Sequence, residues 1–442
     1  MTSLWRSAAG SEDRPSGALH APGASLSLAD LAHASCLGGR LEELSGRSVL
    51  LAMRQQLSTA IALLELDGVA RRLVLCTPDL SVDALREVAS AAAVDVELTD
   101  LDPHPLNGSI DRRESGRTEW ILLTSGTTGT PKLVAHSLES LAGMLPRQGS
   151  GPQTVWSTFY DIRRYGGLQI YLRAVLGGVP LVLSSAGEGT ADFLARAAAH
   201  GVTHISGTPS HWRRVLMSGA AGLLKPSYVR LSGEVADQVL LDQLRAAYPL
   251  ARIAHAFAST EAGVAFDVED GLAGFPAAFV ERPRNGIEMK VEEGTLRIRS
   301  HRIAARYLNS SSHTLATQDG YVDTGDLVEL EGGRYYFRGR KGGVINVGGL
   351  KVYPEEVEGV INTDPRVRMS RVHAKRNAIM GALVVAEVVL EHPPQAGETG
   401  RIHDELLEAC RRVLPAHKVP ARLSFVPALE LTAAGKLVRP DA

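Results

Sequence analysis

The sequence is organised around one stretch, Thr124-Ser125-Gly126-Thr127-Thr128-Gly129-Thr130-Pro131-Lys132. An apolar run typical of a strand comes directly before it. The glycines let the backbone turn tightly and bring its N–H groups towards a ligand. The hydroxyl groups add donors and Lys132 adds a cation, a combination that suits a polyphosphate. Gly, Ser, Thr and Pro are also ordinary turn residues, so the loop alone leaves both interpretations open.

The spacing of this stretch excludes the common phosphate-binding motifs. Lys132 follows Pro131 rather than Gly, so the Walker A pattern is absent, and no G-x-G-x-x-G opens here. The nonapeptide instead resembles the phosphate loop of the adenylate-forming superfamily, which comprises acyl- and aryl-CoA synthetases, carrier-protein adenylation domains and luciferases. The resemblance implies a catalytic role for Lys132. It implies that ATP is bound by Thr124, Ser125, Gly126, Thr127, Thr128 and Gly129.

Composition places the chain among ordinary globular proteins. Its 442 residues exceed one typical domain, and 47 basic against 49 acidic residues leave a net charge of −2, which implies no general nucleic-acid partner. The three cysteines, Cys36, Cys76 and Cys410, show no metal-ligand spacing and cannot all pair, which favours reduced thiols. No secretory signal or membrane-spanning segment is predicted. We therefore expect a cytoplasmic protein that works without a membrane.

Strand-like and helix-like segments alternate along the first part of the chain. Ser48–Leu51 is predicted as a strand, followed by helix and strand patterns up to residue 98. This alternation predicts parallel α/β sheets, which bind ligands at the carboxyl ends of their strands. Residues before about Ser25 are predicted to be a mobile start. Ser137 is expected to cap a helix that extends to Leu145.

The resemblance divides the chain into two domains. Residues 1–340 are expected to form a large α/β domain that binds ATP and the acid, with a shortened N-terminal subdomain. Residues 341–442 are expected to form a small α+β domain that moves on a hinge. Gly342, beside Gly343, occupies the hinge position, and glycine tolerates the backbone changes that a domain rotation requires.

Further motifs follow in the order of the superfamily. Residues 230–234 match the segment that lines the adenine and acyl pocket, which implicates Gly233 and Glu234 in nucleotide binding. Residues 257–261 resemble a Tyr-Gly-x-Thr-Glu motif. An aromatic ring there can stack on adenine, a hydroxyl can bind phosphate and a carboxylate can hold Mg²⁺. The resemblance therefore implies that Phe257, Ala258 and Ser259 bind the nucleotide. It implies catalytic roles for Thr260, at the α-phosphate, and for Glu261, at the metal.

Three more sets of residues complete the resemblance. Asp326 and Arg340 match the residues that contact the ribose. Gly348, Gly349 and Lys351 match the loop that reaches the active site for thioester formation. Lys436 matches the lysine that catalyses adenylation. Each of these residue types is common in turns or tails, so their order along one chain carries the prediction.

The acyl pocket is assigned to Tyr160, Tyr165, Gly166, Gly207 and Gly263. Buried structural roles for the two tyrosines remain equally open. Arg163 or Arg164 could face a second acidic or polar group of the substrate, but a solvated surface pair is the favoured interpretation. The sequence does not identify the acid.

The resemblance implies a two-step reaction. A carboxylate attacks the α-phosphate of ATP with Mg²⁺ present, and a thiol then displaces AMP from the acyl-adenylate. The segment 347–358 favours coenzyme A as the thiol. The alternatives are a stand-alone enzyme that loads the phosphopantetheine of an acyl carrier protein, and a non-catalytic adenylate-binding homologue.

Overall fold

The structure is a computed structural model. It describes residues 3–8, 17–38, 40–104, 116–124, 131–143, 145, 153–309, 315–377, 381–394, 397–431 and 436–438. The predictions made for Ser125, Gly126, Thr127, Thr128 and Gly129 lie outside these residues.

Helices and strands alternate as follows in chain order. The helices are α1 (Leu4–Ala8), α2 (Asp30–His33), α3 (Arg40–Leu44), α4 (Gln56–Leu66), α5 (Val82–Ala91), α6 (Leu138–Ala142), α7 (Tyr165–Gly177), α8 (Thr190–Ala199), α9 (Pro209–Met217), α10 (Gln238–Ala247), α11 (Ala278–Glu281), α12 (Pro354–Ile361) and α13 (Glu398–Val413). The strands are β1 (Ala18–Ala21), β2 (Ala24–Ser27), β3 (Ser48–Leu51), β4 (Arg72–Leu75), β5 (Val96–Leu98), β6 (Glu119–Thr124), β7 (Lys132–Ser137), β8 (Trp156–Thr158), β9 (Leu181–Leu183), β10 (His204–Gly207), β11 (Tyr228–Ser232), β12 (Arg252–Ser259), β13 (Gly263–Val268), β14 (Phe275–Pro276), β15 (Ile287–Glu292), β16 (Thr295–Ser300), β17 (Arg306–Tyr307), β18 (Val322–Glu331), β19 (Arg334–Arg340), β20 (Ile345–Val347), β21 (Leu350–Val352), β22 (Val367–Asn377), β23 (Gly381–Leu390) and β24 (Arg422–Phe425).

Two α/β sheets form the centre of the large domain. One has the order β13-β12-β11-β10-β8-β9-β1-β2, and the other has the order β17-β7-β6-β4-β3-β5. Their inner strands run parallel, while β13, β2, β7 and β17 join in antiparallel fashion at or near the edges. Helix α4 is buried over almost its whole length, which explains why its sequence is apolar on all sides.

A third sheet is antiparallel. In sequence, its strands come after those of the two α/β sheets, apart from β17, and before residue 341. Its order is β14-β19-β18-β16-β15, and its inner face packs around Phe275, Leu296 and Ile298. The fourth sheet follows residue 345, with the order β21-β20-β23-β22 and β24 added beside β23. Helices α12 and α13 cover it around Val357, Val388 and Leu406. Strands β18, β19 and β22 were not predicted from the sequence.

Two local predictions are wrong. The segment before Ser25 is not simply a mobile start, because β1 pairs with β9 in the eight-stranded sheet and Leu4 in α1 is fully buried. The helix capped by Ser137 ends at Ala142 rather than at Leu145. The cap itself is confirmed, since the Ser137 hydroxyl accepts a hydrogen bond from the Ser140 N–H and the Ser140 hydroxyl accepts one in return from the Ser137 N–H.

Candidate active site

Two paired strands, β6 and β7, flank the candidate phosphate loop in sequence. Thr124, the last residue of β6, pairs with Lys132, the first residue of β7, so residues 125–130 connect two antiparallel strands at the carboxyl end of β6. Strand β7 was not predicted from the sequence, although four consecutive residues of it, Leu133 to His136, are buried. The pairing of β6 with β7 fixes the position of Lys132, whose side chain is exposed.

Lys132 and Glu261 both contact Tyr307, a residue that was not predicted from the sequence. The Lys132 ammonium nitrogen lies 5.3 Å from the centre of the Tyr307 ring, and the Tyr307 hydroxyl donates a hydrogen bond of 3.3 Å to Glu261 Oε1. Burial, together with the Glu261 carboxylate, raises the pKa of Tyr307, so the phenol stays protonated as a donor. Tyr307 lies beside Lys132 and Glu261 because β17 pairs with β7. This pairing joins distant segments, so no local sequence pattern predicts it.

The backbone of Thr260 is held by a buried histidine. His136 Nε2 donates to the Thr260 carbonyl at 2.7 Å, which leaves Nδ1 as the atom that faces the Ser140 hydroxyl at 2.9 Å. Burial lowers the pKa of His136 to about 4, so the ring is neutral at pH 7. This histidine positions the turn between β12 and β13 that carries Thr260 and Glu261. It too was missed from the sequence, where it is one His within an apolar strand.

Asp326 and Arg340, the two residues predicted to contact the ribose, are paired with each other. They are register partners on β18 and β19, and Arg340 Nε donates to Asp326 Oδ1 at 3.0 Å. The second oxygen, Oδ2, is buried without a hydrogen-bond partner among the described residues. Burial raises the pKa of Asp326 although Arg340 opposes this effect. A buried carboxylate oxygen with no donor is well suited to receive ligand hydroxyl groups.

Lys436 reaches across from the small domain into the same cleft. A Cβ atom at Gly233 would lie 3.1 Å from Lys436 Cε, and φ of +87° at Gly233 independently favours glycine. Residue 436 is exposed overall, but the end of its side chain is surrounded by protein. Burial and then Arg340 lower the pKa of the ammonium group, whereas Glu234 and Asp326 raise it. The cleft thus contains a lysine between two carboxylates and an arginine.

Glu234 contacts both domains. Its Oε2 accepts a hydrogen bond from the Ser210 N–H at 2.9 Å, and its Oε1 accepts one from the Ser210 hydroxyl at 3.0 Å. Oε1 also accepts a hydrogen bond of 3.1 Å from the backbone N–H of Leu437. Glu234 thus joins α9 to the segment that carries Lys436, and a nucleotide contact for it stays a prediction.

The predicted adenine-binding segment is half-buried. The Phe257 ring is stacked on Phe337, with ring centres 5.0 Å apart and an angle of 12° between the planes. The Ser259 hydroxyl accepts a hydrogen bond from the Ala262 N–H at 3.0 Å and stabilises the turn. Ala258 packs at the edge of the main core cluster. A nucleotide-stacking role for Phe257 stays a prediction.

Four of the five residues assigned to the acyl pocket are neighbours. The rings of Tyr160 and Tyr165 are both buried, and a Cβ atom at Gly166 would lie 3.5 Å from the Tyr160 ring. A Cβ atom at Gly263 would lie 3.4 Å from the Tyr165 hydroxyl. Gly207 differs, because a Cβ atom there would meet Phe159 at 2.8 Å on the side covered by α9. The Tyr160 hydroxyl donates to the Ser232 carbonyl at 2.6 Å, a structural contact.

The interpretation of Arg163 and Arg164 as a solvated surface pair is wrong. Arg163 is buried, and its guanidinium group binds the carboxylate of Asp161, at 2.6 Å between Nη2 and Oδ2. Arg164 is half-buried, pairs with Asp79 at 3.1 Å and contributes to the field at Lys436. The sequence did not reveal that each arginine has a carboxylate partner, Asp161 for Arg163 and Asp79 for Arg164.

A basic cluster of Arg173, Arg230 and Arg302 lies beside the tyrosines. Arg230 Nε donates to Asp267 Oδ1 at 2.9 Å, and Arg302 Nη1 donates to the Val264 carbonyl at 2.7 Å. Arg230 can cross β12 because its strand neighbours there, Ala254 and Ala256, are small. Burial and then the charge of Arg230 lower the pKa of Arg173, with Arg302 adding to the effect.

Several buried polar atoms in and beside the basic cluster lack a hydrogen-bond partner among the described residues. Four buried atoms have no hydrogen-bond partner among the described residues: Arg173 Nε, Arg230 Nη2, Arg302 Nε and Ser206 Oγ. Ser206 is the register partner of Arg230, so both side chains leave the sheet on the same face. Only Arg230 pairs directly with the Asp267 carboxylate, which also acts electrostatically on Arg173 and Arg302, and the cluster adjoins the acyl pocket at Gly263. The sequence gave no indication of this cluster, because its members come from α7, β11 and the segment after β16.

The predicted hinge and thioester loop form turns at the start of the small domain. Gly342 lies in the short 3-10 turn Lys341–Gly343, with open space where a Cβ atom would be. Gly348 and Gly349 have φ of 57° and 88° between β20 and β21, which requires glycine or another residue tolerant of left-handed backbone. Lys351 follows on β21 with an exposed side chain.

The residues present suit a magnesium ion bound with a polyphosphate. Within the described part of the chain, no group of three or more His, Cys, Asp or Glu side chains is arranged to hold a metal ion. Mg²⁺ in nucleotide sites commonly uses only one or two carboxylates and takes its other ligands from phosphates and water, so Glu261 alone is sufficient. None of the helices among the described residues combines the length and apolar composition that crossing a membrane requires.

Two family models match the chain. The model described as AMP-binding enzyme matches residues 17–307, and the model described as AMP-binding enzyme C-terminal domain matches residues 356–436.

The chain is also similar to individual CoA ligases. It is 27% identical to the 2-succinylbenzoate–CoA ligase of Bacillus subtilis over 341 residues, which are 73% of this chain and 68% of the relative. It is 29% identical to that of Salmonella typhimurium over 317 residues, 69% of this chain and 64% of the relative. The alignments thus span about two thirds of these relatives.

Solved structures cover the fold more completely. The o-succinylbenzoate CoA synthetase of Bacillus subtilis in complex with its acyl-adenylate intermediate has a TM-score of 0.79 at 20% identity, and covers 99% of this chain and 97% of its own. An anthranilate CoA ligase in complex with anthranoyl-AMP has a TM-score of 0.77 at 17% identity, with coverages of 99% and 95%. At these identities the likeness shows a shared fold.

Proposed function

The chain belongs to the AMP-binding enzyme family, and we propose that it uses ATP to activate a carboxylic acid and transfers the acyl group to coenzyme A. The observation that carries this proposal is the placement of Lys436 in one cleft with Asp326, Arg340 and the turn that holds Glu261. A protein that only bound adenylate would not need a lysine delivered from a second domain. The names of the relatives, which are CoA ligases, support the same conclusion.

The first half-reaction forms the acyl-adenylate. A carboxylate oxygen of the acid attacks the α-phosphorus of ATP, the new O–P bond forms, and the bond to the bridging oxygen breaks as pyrophosphate leaves. Negative charge increases on the phosphate oxygens, so preorganised donors and cations lower the barrier. Lys436 would stabilise this charge and Thr260 would bind the α-phosphate. Lys132 would lie at the departing phosphates. Asp326 and Arg340 would hold the ribose, and a magnesium ion bound by Glu261 would neutralise phosphate charge.

The second half-reaction makes the thioester. The sulfur of coenzyme A attacks the acyl carbon, the carbon–oxygen bond to AMP breaks, and the thiol proton is lost to solvent. This step requires that Lys436 leave the cleft, which a rotation at Gly342 would permit, and that the turn at Gly348 and Gly349 approach the acyl group. The left-handed backbone of these two glycines supports a loop that allows close passage of a pantetheine arm.

The basic cluster indicates the class of acid. We propose that the substrate carries a second acidic group that binds Arg173, Arg230 and Arg302, because their unpaired N–H groups need acceptors and their net positive charge needs an anion. The relatives support this assignment, since 2-succinylbenzoate is an aromatic acid with a second carboxyl group.

The proposal is tested by measuring pyrophosphate release with Mg²⁺-ATP and matched acids. 2-Succinylbenzoate is compared with benzoate and with a 2-acylbenzoate that lacks the terminal carboxyl group, each with and without coenzyme A. We expect release to depend on the acid, to be fastest for the diacid and to yield acyl-CoA. If pyrophosphate release depended on the acid but no acyl-CoA formed, the acceptor would be a carrier protein instead of coenzyme A. No release from any acid would contradict the enzymatic function.

Replacing Arg173 tests the basic cluster itself. For Arg173→Met we expect the KM for the diacid to rise about 10- to 100-fold, as for the loss of a hydrogen bond between charged groups, while the KM for ATP stays unchanged. The thermal midpoint should stay equal or rise, because a buried, repelled charge is removed. Arg245→Met, at an exposed arginine of the same domain, is the matched control. An unchanged KM for the diacid would remove Arg173 from the acid site.

A further inference from the structure

We propose that Glu234 is a positioning residue that holds the small domain in the orientation where Lys436 acts, and that it contributes to adenylation but not to thioester formation. The inference rests on the proposed function, in which these two steps use different domain orientations. It assigns Glu234 a task different from the nucleotide contact predicted from the sequence.

On one side, Glu234 is fixed to the large domain. It follows β11 directly after Gly233, and both of its carboxylate oxygens accept hydrogen bonds from Ser210, the second residue of α9. Ser210 is itself buried. The N–H groups at the start of a helix lack partners within the helix, so a carboxylate there is held firmly in place. The carboxylate therefore presents Oε1 in a fixed direction.

On the other side, Leu437 is fixed to the small domain. Leu437 forms an isolated bridge with Leu431, and the adjacent Val438 N–H donates to the Glu430 carbonyl at 3.0 Å. Arg371, on β22, donates to the Val438 carbonyl at 2.9 Å. The Leu437 side chain packs against the small cluster around Met369 and Val389. The backbone at position 437 therefore moves with the small domain.

The hydrogen bond from the Leu437 N–H to Glu234 Oε1, at 3.1 Å, joins these two rigid parts one residue away from Lys436. It is charge-assisted, and hydrogen bonds of this kind are the stronger ones. Because the bond forms only when the Lys436 segment is against the large domain, it stabilises that orientation alone. Rotation of the small domain for the second half-reaction must break it. Glu234 should thus favour the first step and be neutral or opposed to the second.

The kinetic test separates the two half-reactions in single-turnover experiments on the full chain. Adenylation is followed as pyrophosphate release, and thioester formation is followed from acyl-adenylate supplied with coenzyme A. For Glu234→Ala and Glu234→Gln we expect the adenylation rate to fall about 10- to 100-fold at saturating ATP and acid, as for loss of a hydrogen bond to a charged group. The KM values should change little, and the thioester step should stay equal or become faster.

The matched control is Ser210→Ala. It removes one hydrogen bond to Glu234 but leaves the bond to Leu437, so both half-reactions should remain close to those of the wild type. An equal fall in both half-reactions would overturn the proposal. A raised KM for ATP at an unchanged maximal rate would also overturn it, because that result would indicate that Glu234 binds the nucleotide.

A second readout does not depend on knowing the acid. Spin labels at Leu250→Cys in the large domain and Val413→Cys in the small domain occupy exposed positions, and the three native cysteines are buried. With ATP present, we expect one narrow distance distribution for the otherwise unchanged chain and a broader or shifted one when Glu234→Ala is added. Identical distributions would overturn the proposal. Failure of the proposed function would instead show as a wild type that releases no pyrophosphate.

Discussion

The neutral state of His136 predicts a specific dependence of stability on pH. The folded chain keeps this ring buried between the Thr260 carbonyl and the Ser140 hydroxyl, with its pKa lowered to about 4 from an ordinary value of 6.5. As the pH falls below 6.5, the unfolded chain binds a proton that the folded chain does not accept until about pH 4. The free energy of unfolding therefore decreases between these two values and is not further affected by His136 below them.

The size of the effect follows from the two pKa values. At pH 7.5 both states are neutral at this residue and the contribution is close to zero. At pH 5.0 the unfolded histidine is almost fully protonated and the folded one is mostly neutral, which costs about 2 kcal/mol of stability. Other buried histidines, such as His211 with its pKa lowered to about 3, add similar losses. A variant that changes only residue 136 is needed to isolate its share.

The assay compares the wild type with His136→Gln by urea unfolding at pH 7.5 and pH 5.0. Tryptophan fluorescence reports the large domain, because all four tryptophans, Trp5, Trp120, Trp156 and Trp212, precede residue 340. Gln cannot titrate, so we expect the variant to lose about 2 kcal/mol less stability than the wild type between the two pH values. The contributions of the other histidines cancel in this difference. If both proteins lost the same stability, His136 would not be the buried neutral group described here.

Two further predictions concern the cleft. Asp326→Asn should raise the KM for ATP about 10- to 100-fold with little change in the KM for the acid, because it removes the negative charge and one acceptor oxygen from the predicted ribose site. The control is Asp242→Asn, at an exposed side chain of α10. An unchanged KM for ATP in Asp326→Asn would contradict the assignment. Gly263→Ala should lower the thermal midpoint measured by calorimetry, since φ is +80° and the new Cβ would lie 2.7 Å from Arg302 Cβ, a strain of about 1–2 kcal/mol or more; Gly222→Ala, where a Cβ meets nothing within 4 Å, is its control, and an equal midpoint in both would contradict the close packing.

The family and the fold class could be predicted because the decisive residues are local in sequence. The motifs around Lys132, Glu261, Asp326 and Lys436 occur in a fixed order, and the match of two family models confirms the assignment. The strand predicted at Ser48–Leu51 is also confirmed, because buried parallel strands are short apolar runs between turn residues. The capping of α6 by Ser137 is confirmed for the same local reason.

The residues that were missed depend on contacts between distant segments. Tyr307 reaches Glu261 only because β17 pairs with β7, and His136 reaches Thr260 across more than a hundred residues of sequence. The basic cluster is assembled from three separate segments, and its charge was invisible within a net charge of −2. Arg163 was misjudged because a charged pair in a loop is usually solvated, whereas here Asp161 neutralises it inside the protein. The roles of the individual site residues stay predictions.

The central claim is that the chain activates an acid as its adenylate, and transfer of oxygen tests it most directly. The acid, with 2-succinylbenzoate as the first choice, is labelled with ¹⁸O in its carboxyl groups and turned over with Mg²⁺-ATP and coenzyme A, and the products are analysed by mass spectrometry. The proposed mechanism predicts one ¹⁸O atom in AMP and one unlabelled pyrophosphate for each acyl-CoA formed. Label in inorganic phosphate together with ADP, or acyl-CoA formed with unlabelled AMP, would contradict it.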